Sequence, residues 1–416
     1  MDHPGTAWKV ADSLEELARL AETVDVEVVG SVTQKLPHPL SGTYVGKGKL
    51  QEIQELKEAL GYDLVLCDEE LSPAQQRNLE RALDVKIIDR TALILDVFAR
   101  RARTHEGRLQ VELAQLEYRL PRLTGMWTHL SRQGVGGVGL RGPGETQLEV
   151  DRREARARIT QIKRELDAVH THRQLYRERR QERQAPVAAL VGYTNAGKST
   201  LLNALTGAGV TAEDKLFATL DPTTRRVTLP ASRDALVTDT VGFINNLPAL
   251  LIAAFRATLE EINEATILVH VLDVTHPNAR EQWETVNRTL EELGADDKPT
   301  VVVFNKTDLL PTDGADRVAL LACELGLCEP PVPISAAAGT GLGSLLARIE
   351  AAIEQETGFV PVRLHVPYAR TDLVDHFHRA GRVEASSFDD DGATLVGWLP
   401  AAALGRFVPY IEERRT

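Results

Sequence analysis

The sequence predicts an α/β chain built on a doubly wound central domain, preceded by a small α/β domain with an antiparallel helical hairpin and followed by a small α+β domain. Three observations predict it. From Val187 to about Glu356 apolar strand-like runs alternate with helical stretches, the pattern of a mostly parallel sheet with helices on its faces. Leu109, Leu113, Leu116, Leu120 and Leu123 recur at spacings of 4 and 3, the seam of a helix that seeks a partner helix. A chain of 416 residues is too long for one core and admits roughly two to four domains.

Composition narrows the class. Hydrophobic residues at 43% and charged residues at 26% are globular values, and no apolar run approaches the roughly 20 residues needed to cross a bilayer. The start of the chain, with Asp2, Glu15 and Glu16, shows no secretory signal, so a cytoplasmic protein is expected. Three cysteines, Cys67, Cys323 and Cys328, make no disulfide framework. The net charge of -12 argues against non-specific nucleic-acid binding by the whole surface. Residues 100–184 run the other way, with 19 Lys/Arg against 11 Asp/Glu. That segment alone suits an anionic partner.

Residues 1–106 read as the first α/β domain, with strands at Val24 to Val29, Asp63 to Cys67 and Val85 to Ile88, and helices at Lys49 to Leu60 and Pro73 to Leu83. Residues 107–184 read as the hairpin and a linker helix. Its second seam runs through Leu148, Ala155, Ile159, Ile162, Leu166, Val169 and Tyr176, with Arg152 and Arg173 filling two seam positions. Two such helices most simply pair antiparallel. The connection, residues 124–144, is a glycine-rich loop longer than the ~12 to 15 residues usual for structureless connections. Its Trp127, His129, Arg132 and Arg141 supply basic and aromatic groups, as RNA contact requires, and its glycines let a partner approach the backbone. A plain connector with solvated arginines is the competing reading. Residues 185–356 form the doubly wound domain, and 357–416 an α+β appendage with an antiparallel ribbon.

The chemistry lies in the doubly wound domain. Gly192-Tyr193-Thr194-Asn195-Ala196-Gly197-Lys198-Ser199-Thr200 fits the P-loop pattern, after an apolar strand and at the start of a helix. Backbone N–H groups of such a loop wrap phosphates at a helix N-terminus. Lys198 would reach the β/γ-phosphates, and the Ser199 hydroxyl would face Mg²⁺. Asn305-Lys306-Thr307-Asp308 follows the strand Val301 to Phe304. A carboxylate at Asp308 can accept from guanine N1–H and the N2 amino group, donors that adenine lacks there. GTP and GDP are therefore the expected nucleotides. Ser335-Ala336-Ala337, after the strand ending at Ile334, would back the guanine ring. In Asp239-Thr240-Val241-Gly242 the carboxylate is placed to hold Mg²⁺ through water, and the Gly242 N–H to sense the γ-phosphate.

A first-switch threonine must lie between these motifs. Thr219, Thr223 and Thr224 are all candidates within Phe217-Ala218-Thr219-Leu220-Asp221-Pro222-Thr223-Thr224. After Gly242, where many regulatory GTPases place a water-orienting glutamine, stands Phe243. Either a partner organises the attacking water, or Phe243 packs inward and another polar group does so. Asn195 offers an amide oxygen near the phosphates where K⁺ could supply positive charge.

The motif set GYTNAGKST, FATLDPTTRR, DTVGF and NKTD resembles the HflX family of ribosome-associated GTPases. YVGKGKL at Tyr44 to Leu50, LSPAQQRNLE at Leu71 to Glu80, IIDRT at Ile87 to Thr91, GRLQVELAQLEYRLPRL at Gly107 to Leu123 and RGPGETQLEVDRR at Arg141 to Arg153 extend the resemblance over nearly the whole chain, least over the last 60 residues. The resemblance implies that Thr219 is the magnesium threonine. It also implies binding to the large ribosomal subunit and its RNA, with the glycine-rich tip near the peptidyl-transferase centre, and dissociation of stalled or idle ribosomes. The free protein is expected to be a monomer. Phe243 fits a family that lacks the catalytic glutamine. Val135 and Val138 interrupt a glycine tract that is purer in relatives. Members have been credited with ATP binding through the N-terminal domain, where this sequence has no P-loop. Two rival readings are a GTPase that controls a protein partner through the stalk, and an RNA-remodelling NTPase, whose helicase motifs are absent.

Overall fold

The computed structural model describes residues 8–123, 143–182, 186–207, 216–217, 219–231, 233–245, 247–248, 251, 261–311 and 314–414. The chain divides into two compact units. One comprises Met1–Thr171 with Lys215–Asp221 and Asn245–Ala257, and the other comprises His172–Asp214, Pro222–Ile244 and Thr258–Thr416.

In the first unit helices α1 (Val10–Thr23) and α2 (Lys47–Leu60) precede strand β1 (Leu64–Cys67), helix α3 (Pro73–Leu83), strand β2 (Lys86–Asp89) and helix α4 (Arg90–Arg101). Helix α3 starts where its sequence says it must. Ser72 accepts from the Gln75 N–H while the Gln75 side chain accepts from the Ser72 N–H, with Pro73 in the first turn. Strands β1 and β2 pair in parallel from Leu64↔Lys86 to Cys67↔Asp89. Ile53, Leu79, Leu83 and Ile87 close a core around them.

The strand expected at Val24 to Val29 does not form. Asp25 turns left-handed (φ 62°) just after α1, and Val28 and Val29 are 44% and 50% exposed. A β-branched run has strand propensity, but it needs a neighbouring strand and a face to bury. Helices α1 and α4, unread in the sequence, enclose Arg90, which is 1% exposed and pairs with Glu16 and, at 2.6 Å, with Asp68.

The leucine seams do pair. Helix α5 (His105–Arg119) lays Leu109 and Leu113 against Ile162 and Leu166 of helix α6 (Pro143–Glu182), with Leu116 and Ile159 at the margin. Arg158 grips Glu112 through two bonds of 2.7 and 2.8 Å, which holds the carboxyl below its ordinary range. Trp127, His129, Arg132 and Arg141, the expected RNA contacts, lie outside the described residues.

In the second unit strand β3 (Val187–Val191) and helix α7 (Lys198–Thr206) are followed by strands β4 (Thr223–Thr228), β5 (Asp234–Asp239) and β6 (Ile267–Asp273), helix α8 (Ala279–Glu292), strand β7 (Thr300–Asn305), helix α9 (Gly314–Glu324), strand β8 (Val332–Pro333) and helix α10 (Leu342–Thr357). The sheet order is β4-β5-β3-β6-β7-β8, parallel except for the antiparallel edge strand β4. The order reverses direction at β3. That is where a doubly wound sheet opens a crevice at the carboxyl ends of its strands. The appendage is a four-stranded antiparallel sheet, larger than a ribbon: strands β9 (Phe359–Pro367), β10 (Arg382–Phe388), β11 (Gly392–Pro400) and β12 (Ile411–Arg414) lie in the order β10-β11-β9-β12. Helix α11 (Thr371–Ala380) packs Leu373 and Phe377 on it.

Every residue of β6 is buried, including His270, whose ring stacks on Trp283 of α8 at 4.3 Å and 7°. Neither ring nitrogen has a hydrogen-bond partner among the described residues. Desolvation, helped by the Lys198 ammonium, pushes its pKa from 6.5 down to about 3. The unfolded chain takes up a proton that the folded ring refuses, so stability falls as pH drops through that interval, by at most about 1.4 kcal/mol per pH unit. His270→Phe keeps the stack and removes the proton site. Its melting temperature should fall less steeply than wild type from pH 6.5 to about 4.5; parallel declines would show that another group is being titrated.

Candidate functional site

The loop between β3 and α7 is shaped by positions that only glycine fills comfortably. Gly192 (φ 150°) lies against β6, and a Cβ there would sit 2.3 Å from the Val271 carbonyl oxygen. Gly197 (φ 95°) caps α7, and a Cβ there would sit 2.2 Å from Asn305 Nδ2. Asn195 also adopts a left-handed conformation, φ 62°, a region Asn tolerates better than most residues. The result is a concave run of backbone ending on the positive end of a helix.

Lys198 is 6% exposed and donates to the carbonyls of Gly192 at 3.0 Å and Tyr193 at 2.8 Å. Burial lowers its pKa to about 8, opposed by the Asp239 carboxylate. Tyr193, Thr194 and Ala196 are buried, so this part of the loop is a wall rather than a surface flap. The Ser199 hydroxyl donates to Asp239 Oδ2 at 2.6 Å, which brings together two hard oxygen donors from the expected magnesium set. Thr200 continues the first turn of α7.

The Asp239 to Gly242 segment is tied to the P-loop by its backbone. The Thr194 N–H donates to the Phe243 carbonyl at 2.8 Å, and the Phe243 N–H donates to the Gly192 carbonyl at 3.1 Å. The Thr240 hydroxyl donates to the Leu190 carbonyl at 2.7 Å, and Val241 is buried. A Cβ on Gly242 would come within 2.8 Å of Thr194 Cα. Phe243 is 2% exposed. Its side chain packs inward, a feature common to both readings of how the attacking water is held.

The segment expected to meet the base lies at the tips of β7 and β8. Asn305, 2% exposed, donates from Nδ2 to the Ala196 carbonyl at 2.8 Å, and its Oδ1 accepts from the Ala336 N–H at 3.0 Å. Thr307 anchors the loop through its hydroxyl to the Ile334 carbonyl at 2.9 Å. Ser335 is fully buried and accepts from the Ala338 N–H, so the turn through Ala336 and Ala337 is held from inside. Asp308 stands exposed on the short helix Thr307–Leu309. Its carboxylate has no hydrogen-bond partner among the described residues.

The FATLD stretch lies in the other unit. Phe217 meets the Phe98 ring edge-on at 4.6 Å and is buried, as is Leu220. The Asp221 carboxylate accepts from the Arg103 N–H at 2.8 Å, the Thr104 N–H at 2.9 Å and the Thr104 hydroxyl. These are donors at the start of α5, where backbone N–H groups lack helical partners and a carboxylate suits the helix dipole. A Cβ on Gly107 would collide with it at 2.5 Å. Thr219 belongs to this same unit, and Ala218 lies outside the described residues. Sequence reading missed Asp273, which ends β6 and reaches Lys306; an acidic residue closing a strand that is apolar but for His270 was the available signal.

Family models match along most of the chain: "GTP-binding GTPase N-terminal" over residues 11–99, "GTP-binding GTPase Middle Region" over 101–180 and "50S ribosome-binding GTPase" over 187–306. GTPase HflX of Caldanaerobacter subterraneus is 49% identical over 386 residues, covering 92% of this chain and 86% of that protein. GTPase HflX of Escherichia coli K12 is 45% identical over 418 residues, covering 99% of this chain and 93% of that protein. Among solved structures, a GTP-binding protein from Sulfolobus solfataricus in complex with GDP is 26% identical, covers 83% of this chain and 96% of its own, and has a TM-score of 0.45. The 45% identity with the Escherichia coli protein over 99% of this chain takes in the hairpin and both flanking domains as well as the nucleotide-binding core; the chain belongs to the HflX family of GTPases.

Proposed function

We propose that this GTPase binds the large ribosomal subunit and its RNA, and uses the GTP/GDP switch to associate with or dissociate stalled or idle ribosomes. The observation that carries the reading is the basic segment of residues 100–184 on the hairpin of an otherwise acidic chain. Phosphate contacts by Arg and Lys supply most of non-specific RNA affinity and make it salt-dependent. The family description matching residues 187–306 points the same way. The rival reading, a stalk that recruits a protein through its seam, is disfavoured because Leu109 and Leu113 already meet Ile162 and Leu166 of the same chain. No helix among the described residues is long and apolar enough to cross a membrane. We read the protein as cytoplasmic and monomeric when free.

In this reading the backbone of Gly192 to Gly197 cradles the phosphates, Lys198 neutralises the β/γ oxygens, and the Gly242 N–H senses the γ-phosphate. Asp308 reads the guanine edge. Ser199 and Asp239, already paired at 2.6 Å, fit Mg²⁺, and the family resemblance names Thr219 as a further ligand. The ion, when bound, neutralises charge developing between the β- and γ-phosphates. Phe243 is packed away and cannot orient a water, so stimulation of hydrolysis falls to the ribosome and to charge placed by Asn195, for which K⁺ is the candidate.

Sedimentation through a density gradient tests the function. The protein should co-migrate with large subunits in the presence of a non-hydrolysable GTP analogue and leave them with GDP. Arg132→Ala with Arg141→Ala should weaken the association and flatten its salt dependence while GTP affinity holds. Nucleotide-independent migration away from large subunits would overturn the reading. Replacing K⁺ by Na⁺ should lower the hydrolysis rate; equal rates in the two salts would remove K⁺ from the site.

A further inference from the structure

Lys306 is held in an unusual way. It occupies the left-handed region at φ 65°, which costs a non-glycine residue on the order of 1–2 kcal/mol. Its ammonium lies 2.7 Å from Asp273 Oδ2. Asp273 is 7% exposed, and its other oxygen accepts from the Thr275 N–H at 3.0 Å and the Thr275 hydroxyl at 2.6 Å. The carboxylate is therefore fixed before Lys306 reaches it. Strand register places Asp273 opposite Asn305, and the Val274 N–H donates to the Asn305 carbonyl at 3.2 Å. The acid thus stands at the carboxyl edge of the sheet beside the loop that carries Asp308.

We infer that Asp273 is a positioning residue for guanine recognition: it tethers the Lys306 ammonium so that the four-carbon stem lies as a fixed apolar ledge for the face of the base, while Asp308 reads its edge. The physical case has two parts. The partners' side chains are 25% and 10% exposed, so the pair is screened less than a surface ion pair. A free lysine side chain also carries rotamer freedom that binding would otherwise have to remove; the tether removes it beforehand. Asn305 fixes the loop's backbone, but nothing else among the ion pairs of the described residues holds the Lys306 head group. The inference rests on the guanine reading of Asn305 to Asp308.

The test is titration calorimetry of the full chain with GDP, alongside competition by inorganic tripolyphosphate, which engages the phosphate end alone. Asp273→Asn keeps an oxygen for Thr275 and removes the charge. GDP affinity should fall about tenfold, and KM for GTP should rise by a similar factor with kcat at saturation moving less than twofold. Tripolyphosphate affinity should stay within twofold. Lys306→Met, which keeps an apolar stem without the ammonium, should lose GDP affinity to a similar extent, and adding Asp273→Asn to it should cost no more. Additive losses, unchanged GDP affinity in Asp273→Asn, or an equal loss for tripolyphosphate would each overturn the assignment. Failure of the underlying guanine reading shows separately, as Asp308→Asn retaining the wild-type preference for GDP over ADP.

Discussion

The buried amide of Asn305 is the interaction on which the nucleotide site depends. Its nitrogen holds the P-loop at Ala196 and its oxygen holds the third loop at Ala336, with bonds of 2.8 and 3.0 Å. Three segments, separated in sequence by 109 and 31 residues, are fixed to one another by this side chain. Hydrogen bonds to a buried group are costly to break, because each orphaned partner keeps its desolvation penalty, about 1–3 kcal/mol. In the proposed reading these are the phosphate cradle and the base reader, and joining them in this way lets one ligand span both.

Around that clamp the site is built from backbone more than from side chains. Gly192 lies against the Val271 carbonyl, and Gly197 lies against Asn305 itself. Residues 192–194 exchange hydrogen bonds with Phe243. Placing donors in advance lets a site meet charge without reorganising. Phe243 serves this arrangement through its main chain, and its ring is occupied in packing. The absence of a glutamine there leaves the arrangement of the P-loop intact and removes only a water-orienting group.

Much of this was legible in the sequence, and for local reasons. The P-loop, the Asp239 to Gly242 turn and the Asn305 to Asp308 loop each pair a fixed spacing with a strand end. Helix α3 announced itself through Ser72, Pro73 and Gln75. The two leucine seams found each other because a heptad pattern specifies its partner. Other features were not local. Val24 to Val29 has the composition of a strand, yet no neighbouring strand takes it up. Asp221 sits inside a nucleotide-binding motif, but its carboxylate answers the unpaired N–H groups of a helix 117 residues earlier. Asp273 ends β6 and Lys306 follows the last residue of β7, and only the register of β6 against β7 makes them neighbours. Propensity and spacing carry no information about such pairings.

The central claim is that Asp308 and Lys198 engage opposite ends of one guanine nucleotide. Titration calorimetry of the wild-type chain and of Asp308→Asn with GDP, ADP and xanthosine diphosphate tests it most directly. The wild type should prefer GDP over ADP by at least about a hundredfold, and the variant should shift that preference to xanthosine diphosphate, whose added oxygen and ring N–H suit an amide. ADP bound as tightly as GDP by the wild type would contradict the account.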